Sequence, residues 1–193
     1  MMTTKRNLQC IMVAASTGLA LLATAGLMAV PVSAQTEIAE SAPDSLREDF
    51  RDWIVNCVTI AADAPANAGA RVCEMFQQID HQESGQRVLT FSVRINDEDQ
   101  PISVLITPFG LRLAEGVRVQ IGDEQIAHLG FETCLPEGCL VVAPMDPAMI
   151  TAMRQAREGA VVLVSRQGDA LGVPISLMGF AAGLERLRAL SGE

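Results

Sequence analysis

Short segments in which apolar and polar residues alternate restrict this chain to a fold built from antiparallel β-strands. The clearest segment is 86–95, in which apolar side chains stand at every second position: Leu89, Phe91, Val93 and Ile95. A period of two residues is that of a strand with one face against a core and the other face in water. We therefore predict a mainly β domain.

Other segments have the same character, and turn residues separate them. Strands are predicted at residues 53–58, 71–79, 102–107, 130–134, 139–143, 160–165 and 171–175. The segments 111–113 and 117–121 also alternate on either side of a short turn, which predicts a hairpin. Short strands at close spacing with turn signals between them are typical of an antiparallel sandwich or barrel.

Two helices are predicted near the C-terminus. Asp146 followed by Pro147 is the residue pair that begins many helices, with Asp as the N-cap. Residues 177–187 place apolar side chains at helical spacing, which predicts an amphipathic C-terminal helix. Such a helix could dock on a partner, but we expect it to pack on the sheet of its own chain, because amphipathic helices owe their stability to tertiary contacts.

The N-terminal segment is typical of a secretory signal peptide. Lys5 and Arg6 precede an uncharged apolar stretch that ends at Val32-Ser33-Ala34. We expect cleavage after residue 34, which leaves Gln35 as the first residue; a retained membrane anchor is the alternative, since the stretch is nearly long enough to span a bilayer. Residues 35–49 then form a flexible tether, and residues 50–193 form a single domain.

Four cysteines follow the signal-like segment, and they indicate disulfide bonds. They are Cys57, Cys73, Cys134 and Cys139. An even number of cysteines in an exported chain favours disulfides over a zinc site, which would need two close cysteine pairs where the chain has one. Three connectivities are possible. We expect the local one, Cys57 with Cys73 and Cys134 with Cys139, because each pair closes a strand-loop-strand segment.

The charge of the chain excludes some partners. The formal charge is −9, and it becomes −11 if residues 1–34 are removed, because the only charged residues there are Lys5 and Arg6. Electrostatic binding to nucleic acid needs clustered Lys and Arg side chains that contact the phosphates. We therefore expect no nucleic-acid partner, no adsorption to anionic lipid and, once the signal is removed, no membrane span.

The sequence lacks the familiar motifs of metal-binding, nucleophilic and phosphate-binding sites. The two histidines, His81 and His128, show no metal-ligand spacing, and neither a nucleophile elbow nor a phosphate-binding loop is present. We therefore predict no catalytic residue, no cofactor and no metal. A non-enzymatic protein that binds another protein is the favoured hypothesis. A periplasmic enzyme built from scattered carboxylates and a carrier of a small ligand are the alternatives.

Five motifs in order resemble the invasion-associated locus B family of proteobacterial envelope proteins. They are WIVNC (53–57), VCE (72–74), PFGL (108–111), FETCLPEGC (131–139) and ISLMGF (175–180). The resemblance implies an immunoglobulin-like antiparallel β-sandwich, a periplasmic or surface location and, in some members, a link to host-cell association. It implies no catalytic residue. The expected partner is an unknown protein of the envelope or of a host cell, and no oligomeric state is implied.

Overall fold

The computed structural model describes residues 45–61 and 69–192. The predicted signal peptide 1–34, the cleavage site before Gln35 and the first part of the tether lie outside the described residues. Within them, two antiparallel sheets and two helices form the structure. The prediction of a mainly β antiparallel sandwich with one short helix and one C-terminal helix is therefore confirmed.

The larger sheet contains seven strands, and its first five follow one another along the chain. In spatial order they are β1 (Ser45–Phe50), β2 (Trp53–Thr59), β3 (Arg71–Asp80), β4 (Arg87–Ile95), β5 (Pro101–Thr107), β9 (Gly138–Pro144) and β8 (Thr133–Leu135). β1 and β8 are therefore the edges of this sheet.

The smaller sheet contains four strands and receives its members from the middle and the end of the chain. In spatial order they are β11 (Ala170–Ser176), β10 (Glu158–Val164), β6 (Val117–Ile121) and β7 (Glu124–Leu129). The helices are α1 (Pro147–Gln155) and α2 (Phe180–Ser191), and a 3-10 turn covers Leu113–Glu115. No helix within the described part of the chain has the length and apolarity to cross a membrane.

The core lies where the two sheets and α2 meet, and Trp53 is at its centre. Its side chain is fully buried, and its ring makes edge-on contacts with Phe91 and Phe180 at centroid distances of 5.7 and 5.3 Å. The indole N–H donates to the carbonyl oxygen of Ser176 at 3.0 Å. One side chain therefore joins the larger sheet, α2 and the last strand of the smaller sheet, and its polar atom is satisfied.

α1 begins as its sequence indicates, whereas α2 begins at Phe180, three residues after the start of the predicted segment 177–187. The Asp146 side chain accepts from the backbone N–H of Met149 at 2.7 Å, and Pro147 is the first residue of α1. The apolar face of α2 is buried against β1–β4 of its own chain. The expectation that α2 packs on its own sheet, rather than being left for a partner, is confirmed.

β1 corrects the predicted tether, because residues 45–49 belong to a strand rather than to a flexible segment. Leu46, Glu48 and Phe50 point to the partly buried side of the strand, and β1 pairs with β2 along its whole length. The Glu48 carboxylate also receives two hydrogen bonds from Arg186 of α2, at 2.8 and 2.9 Å. Because these bonds favour the charged form, the pKa of Glu48 lies below its ordinary value.

The predicted hairpin over residues 111–121 is wrong. Leu111 makes an isolated bridge to Ser165, and Leu113–Glu115 form the 3-10 turn. β6 instead forms its hairpin with β7, across Gly122 and Asp123. The alternation at 111–113 was too short to distinguish a strand from a turn that crosses between the sheets.

Candidate protein-interaction face

The structure contains both disulfides in the local pairing, Cys57–Cys73 and Cys134–Cys139. The first joins directly opposed residues of β2 and β3, and both of its cysteines are buried in the core. The second joins directly opposed residues of β8 and β9, and Cys134 lies on the surface. The first bond therefore stabilises the core, whereas the second holds the three-residue edge strand β8 against its neighbour.

β5 directs three of its four branched aliphatic residues outward, to the side of the sheet that is expected to be polar. Its inward positions are Ser103, Leu105 and Thr107, all at most 1% exposed. Its outward positions are the branched aliphatic residues Ile102, Val104 and Ile106, all partly exposed. An antiparallel sheet with one solvated face ordinarily shows the opposite arrangement, with polar residues outward.

The inward hydroxyl groups of β5 are satisfied by the neighbouring strand. Ser103 donates to the carbonyl oxygen of Ala143 at 3.0 Å, and Thr107 donates to that of Cys139 at 3.2 Å. A buried hydroxyl group with a partner costs little, whereas one without a partner is expensive. These bonds allow the core to accept polar residues of β5 while the apolar ones face outward.

β9 and β8 extend the apolar surface. Val104 is opposite Val142 and Ile106 is opposite Leu140, so their side chains share one face; Leu135 of β8 lies on the same face by register. Leu135 and Val142 are 48% and 38% exposed. We call this surface the outer apolar face and define it by six residues: Ile102, Val104, Ile106, Leu135, Leu140 and Val142.

The rest of the same surface is mixed in character. β4 directs Thr90, Ser92 and Arg94 to this side, next to β5; on β3, Gln78 lies beside Thr90, and Glu74 forms an ion pair with Arg94 at 3.0 Å. We call these five residues the polar strip. Beyond β4, apolar side chains of β2 and β3 also lie on this side: Ile54, Val58, Val72 and Phe76. The polar strip therefore separates the outer apolar face from them. A contiguous apolar area next to polar residues is typical of a protein-interaction surface.

Gly138 allows β9 to lie close to β5 at the end of this face. Its φ is +141°, and a Cβ at this position would collide with the carbonyl oxygen of Thr107. Cys139 follows directly and forms the disulfide with Cys134. The glycine and the disulfide together place Leu135 next to the outward residues of β9.

The two histidines occupy surface positions and make local contacts. His81 Nδ1 lies 3.3 Å from the Ser84 hydroxyl in the turn after β3, and His128 Nε2 lies 2.9 Å from the carbonyl oxygen of Glu115. Over residues 45–61 and 69–192, no three His, Cys, Asp or Glu side chains are grouped so that they could hold a metal ion.

Sequence reasoning found the cysteines but missed the outer apolar face. Strands were predicted at 102–107 and 139–143, which correspond to β5 and β9. The sequence pattern of β5, however, does not show which of its sides faces the core. The available signal was the pair Ser103 and Thr107, which alternate with three branched aliphatic residues. Read as a two-residue period, this pattern places those aliphatic residues together, and only the structure shows that they face outward.

The comparisons with known proteins agree with one another. Residues 53–188 match the family model described as invasion associated locus B (IalB) protein. An invasion protein B homolog of Brucella abortus (strain 2308) is 33% identical over 164 residues, which cover 83% of this chain and 91% of the relative. Invasion protein B of Bartonella bacilliformis is 27% identical over 153 residues, which cover 76% of each chain.

A solved structure shows the same fold. The crystal structure of invasion associated protein B from Bartonella henselae superposes with a TM-score of 0.64 at 26% identity, and the match covers 76% of this chain and 97% of that one. The family match includes both disulfides and every strand of the outer apolar face. The chain belongs to the invasion associated locus B family.

Proposed function

We propose that this protein is exported to the periplasm or the outer surface and acts there by binding another protein, without catalysis. The outer apolar face is the observation that carries the proposal. It presents six aliphatic side chains on three adjacent strands, and two of those side chains are more than one third exposed. Large contiguous apolar patches are rare on the surfaces of monomeric proteins, and they mark interaction sites.

Export is supported by the signal-like N-terminus and by the disulfides. Disulfides form and persist in oxidising compartments such as the bacterial periplasm. The names of the relatives refer to invasion, which supports a role of this protein in host-cell association. The partner is expected to offer an apolar patch bordered by basic residues, because the chain has a formal charge of −9.

The experiment that tests this proposal is site-specific photocrosslinking in the native envelope. A photoreactive residue at Leu135 samples the outer apolar face, and one at Gln78 samples the polar strip of the same sheet surface. Adducts are identified by mass spectrometry, and the partner is then purified for affinity measurements.

Val142→Arg is expected to weaken the affinity for that partner at least about tenfold, because a charge would be buried in an apolar contact. Gln78→Arg adds the same charge to the polar strip and should leave the affinity within about twofold. Equal binding by wild type and Val142→Arg would refute the role of this face. Turnover of a substrate by the purified protein would refute the absence of catalysis.

A further inference from the structure

β11 has one unpaired edge, which offers backbone groups to a further strand. It is the end strand of the smaller sheet and pairs with β10 alone among the described strands. Just beyond the two strands, Leu177 N donates to Arg157 O and Ser165 N donates to Asp169 O, so the odd-numbered residues bond to the β10 side. Because bonding alternates along an antiparallel pair, the N–H and C=O groups of Ala170 and Gly172 point away from β10.

One residue of this edge is already paired, and the partner is a side-chain amide. Ser176 N donates to Gln77 Oε1 at 3.1 Å, and Gln77 Nε2 donates to Ser176 O at 2.7 Å. The amide thus forms the two hydrogen bonds that a peptide group of a neighbouring strand would form. Ala170, Gly172 and Pro174, the next outward residues of the edge, are exposed.

A groove of about 600 Å³ opens beside this exposed part of the edge. Ile79, Val88, Leu163 and Leu171 line it, with Asp80 and Glu83 from the β3–β4 hairpin. Leu171 points to the same side of β11 as the buried residues Val173 and Ile175, yet it is 45% exposed. An inward-facing leucine is therefore left uncovered at the place where an added strand would direct its own side chains.

We propose that an extended peptide of a partner protein binds here as a fifth strand of the smaller sheet. Its backbone pairs with Ala170 and Gly172, and its apolar side chains enter the groove over Leu171. A basic residue of the peptide lies next to Glu83, whose carboxylate contributes a negative charge at that side of the groove. This mode of binding takes its affinity from main-chain hydrogen bonds and its specificity from alternate side chains. The site lies on a different sheet from the outer apolar face and does not depend on it.

The probe is a synthetic peptide, acetyl-Arg-Val-Thr-Val-Thr-Val-Arg-amide, whose binding to the purified exported protein is measured by titration calorimetry. Gly172→Pro removes the outward N–H but leaves the β10 ladder intact, because that N–H does not bond to β10. Pro174 already occupies an equivalent outward position. Gly172→Ala keeps the N–H, and its Cβ would meet no atom within 4 Å. We expect Gly172→Pro to weaken binding at least tenfold and Gly172→Ala to leave it within twofold.

Two further measurements keep the result decisive if the proline variant folds poorly. N-methylation of alternate residues of the peptide should weaken binding at least tenfold in one of the two possible patterns, because one set of amides faces β11. Replacement of both arginines of the peptide by glutamate should weaken binding at least tenfold, and Glu83→Gln should reduce that difference.

Binding of the peptide at wild-type strength to a folded Gly172→Pro variant would overturn the proposal. So would equal binding by both N-methylated peptides, absence of binding by the wild type, or a dimer of this chain that Gly172→Pro abolishes. Val142→Arg should leave peptide binding unchanged, while it weakens the binding of the partner protein to the outer apolar face. The failure of either site is thereby distinguishable from the failure of the other.

Discussion

Gly179 shows how one residue determines the position of a whole helix. It lies between β11 and α2 with φ +94°, and a Cβ there would collide with the carbonyl oxygen of Phe50 at the end of β1. Glycine adopts this conformation without a steric penalty, whereas other residues do not. The close approach brings the start of α2 against β1, and the interaction between Glu48 and Arg186 follows about two turns later.

Substitution of this glycine is therefore expected to be costly. Gly179→Ala should lower the free energy of unfolding by more than about 2 kcal/mol, because it adds backbone strain and a clash with a main-chain atom. Gly130→Ala is the matched control, since its φ is not positive and its Cβ would have open space. Urea denaturation followed by circular dichroism measures both variants. Equal stability of the two would contradict this explanation of Gly179.

The interaction between Glu48 and Arg186 predicts a pH dependence of stability. The pKa of Glu48 is lowered in the folded state, chiefly by its hydrogen bonds from Arg186, from an ordinary value of 4.5. Its contribution is therefore present above pH 4.5 and is lost as the pH falls through the lower folded pKa. The pair is about one third exposed, so the contribution is under about 1 kcal/mol.

Glu48→Gln should accordingly be less stable than wild type at pH 7, and the difference should be smaller at pH 3. Urea midpoints at the two pH values measure this, with Glu83→Gln on the exposed β3–β4 turn as the control. If Glu48→Gln lowered the free energy of unfolding by the same amount at both pH values, the carboxylate charge would not be the cause of the lost stability.

At the level of elements, strands with a clear two-residue period were predictable, whereas the edge strands β1 and β7 were not. β4 was found from its alternation, and the predicted inward residues Leu89, Phe91 and Val93 are fully buried. β1 and β7 were missed because polar side chains occupy four of the six positions of β1 and three of the six of β7. Pairing with β2 and contacts with α2 stabilise β1 despite its composition, and a local pattern does not contain those tertiary contacts.

The two disulfides are expected to contribute unequally to stability. Cys57–Cys73 closes a segment with a separation of 16 residues and Cys134–Cys139 one of 5 residues. Loop-closure entropy gives about 3 kcal/mol for the first bond and about 2 kcal/mol for the second. Both cysteines of the first bond are buried but only Cys139 of the second is, so removal of the sulfur atoms adds a larger packing cost to the first.

The double variant Cys57→Ala/Cys73→Ala should thus lose more stability than Cys134→Ala/Cys139→Ala. Urea denaturation of both double variants against the oxidised wild type gives the order, and non-reducing peptide mapping checks that each variant keeps the other bond. The reverse order would mean that the edge strand β8, rather than the β2–β3 pair, governs stability.

At the level of the whole molecule, the side of each sheet that faces water depends on how the sheets are stacked. The cysteine pairs were predictable because they are local in sequence. The outer apolar face was not, because Ser103 and Thr107 become inward residues only when β9 supplies their hydrogen-bond acceptors. Which face of β5 turns to the core depends on contacts with residues more than 30 positions away in the sequence. A local sequence pattern does not contain those contacts.

Export makes a prediction about the intact chain. Protein isolated from its native host should have the mass of residues 35–193 without the four thiol hydrogens, because both disulfides are formed. Intact mass spectrometry before and after reduction measures this. Retention of Lys5 and Arg6 in the isolated protein would show that the N-terminal segment is not removed.

The position of Trp53 gives the molecule an intrinsic optical reporter. It is the only tryptophan in a chain without tyrosine, so ultraviolet emission comes from one indole ring. That ring touches Phe91 of one sheet and Phe180 of α2, and its N–H bonds to the last strand of the other sheet. Separation of any one of these three parts would bring water to the indole and shift its emission to longer wavelength. A single fluorescence trace therefore follows the joining of both sheets and the C-terminal helix without an added label.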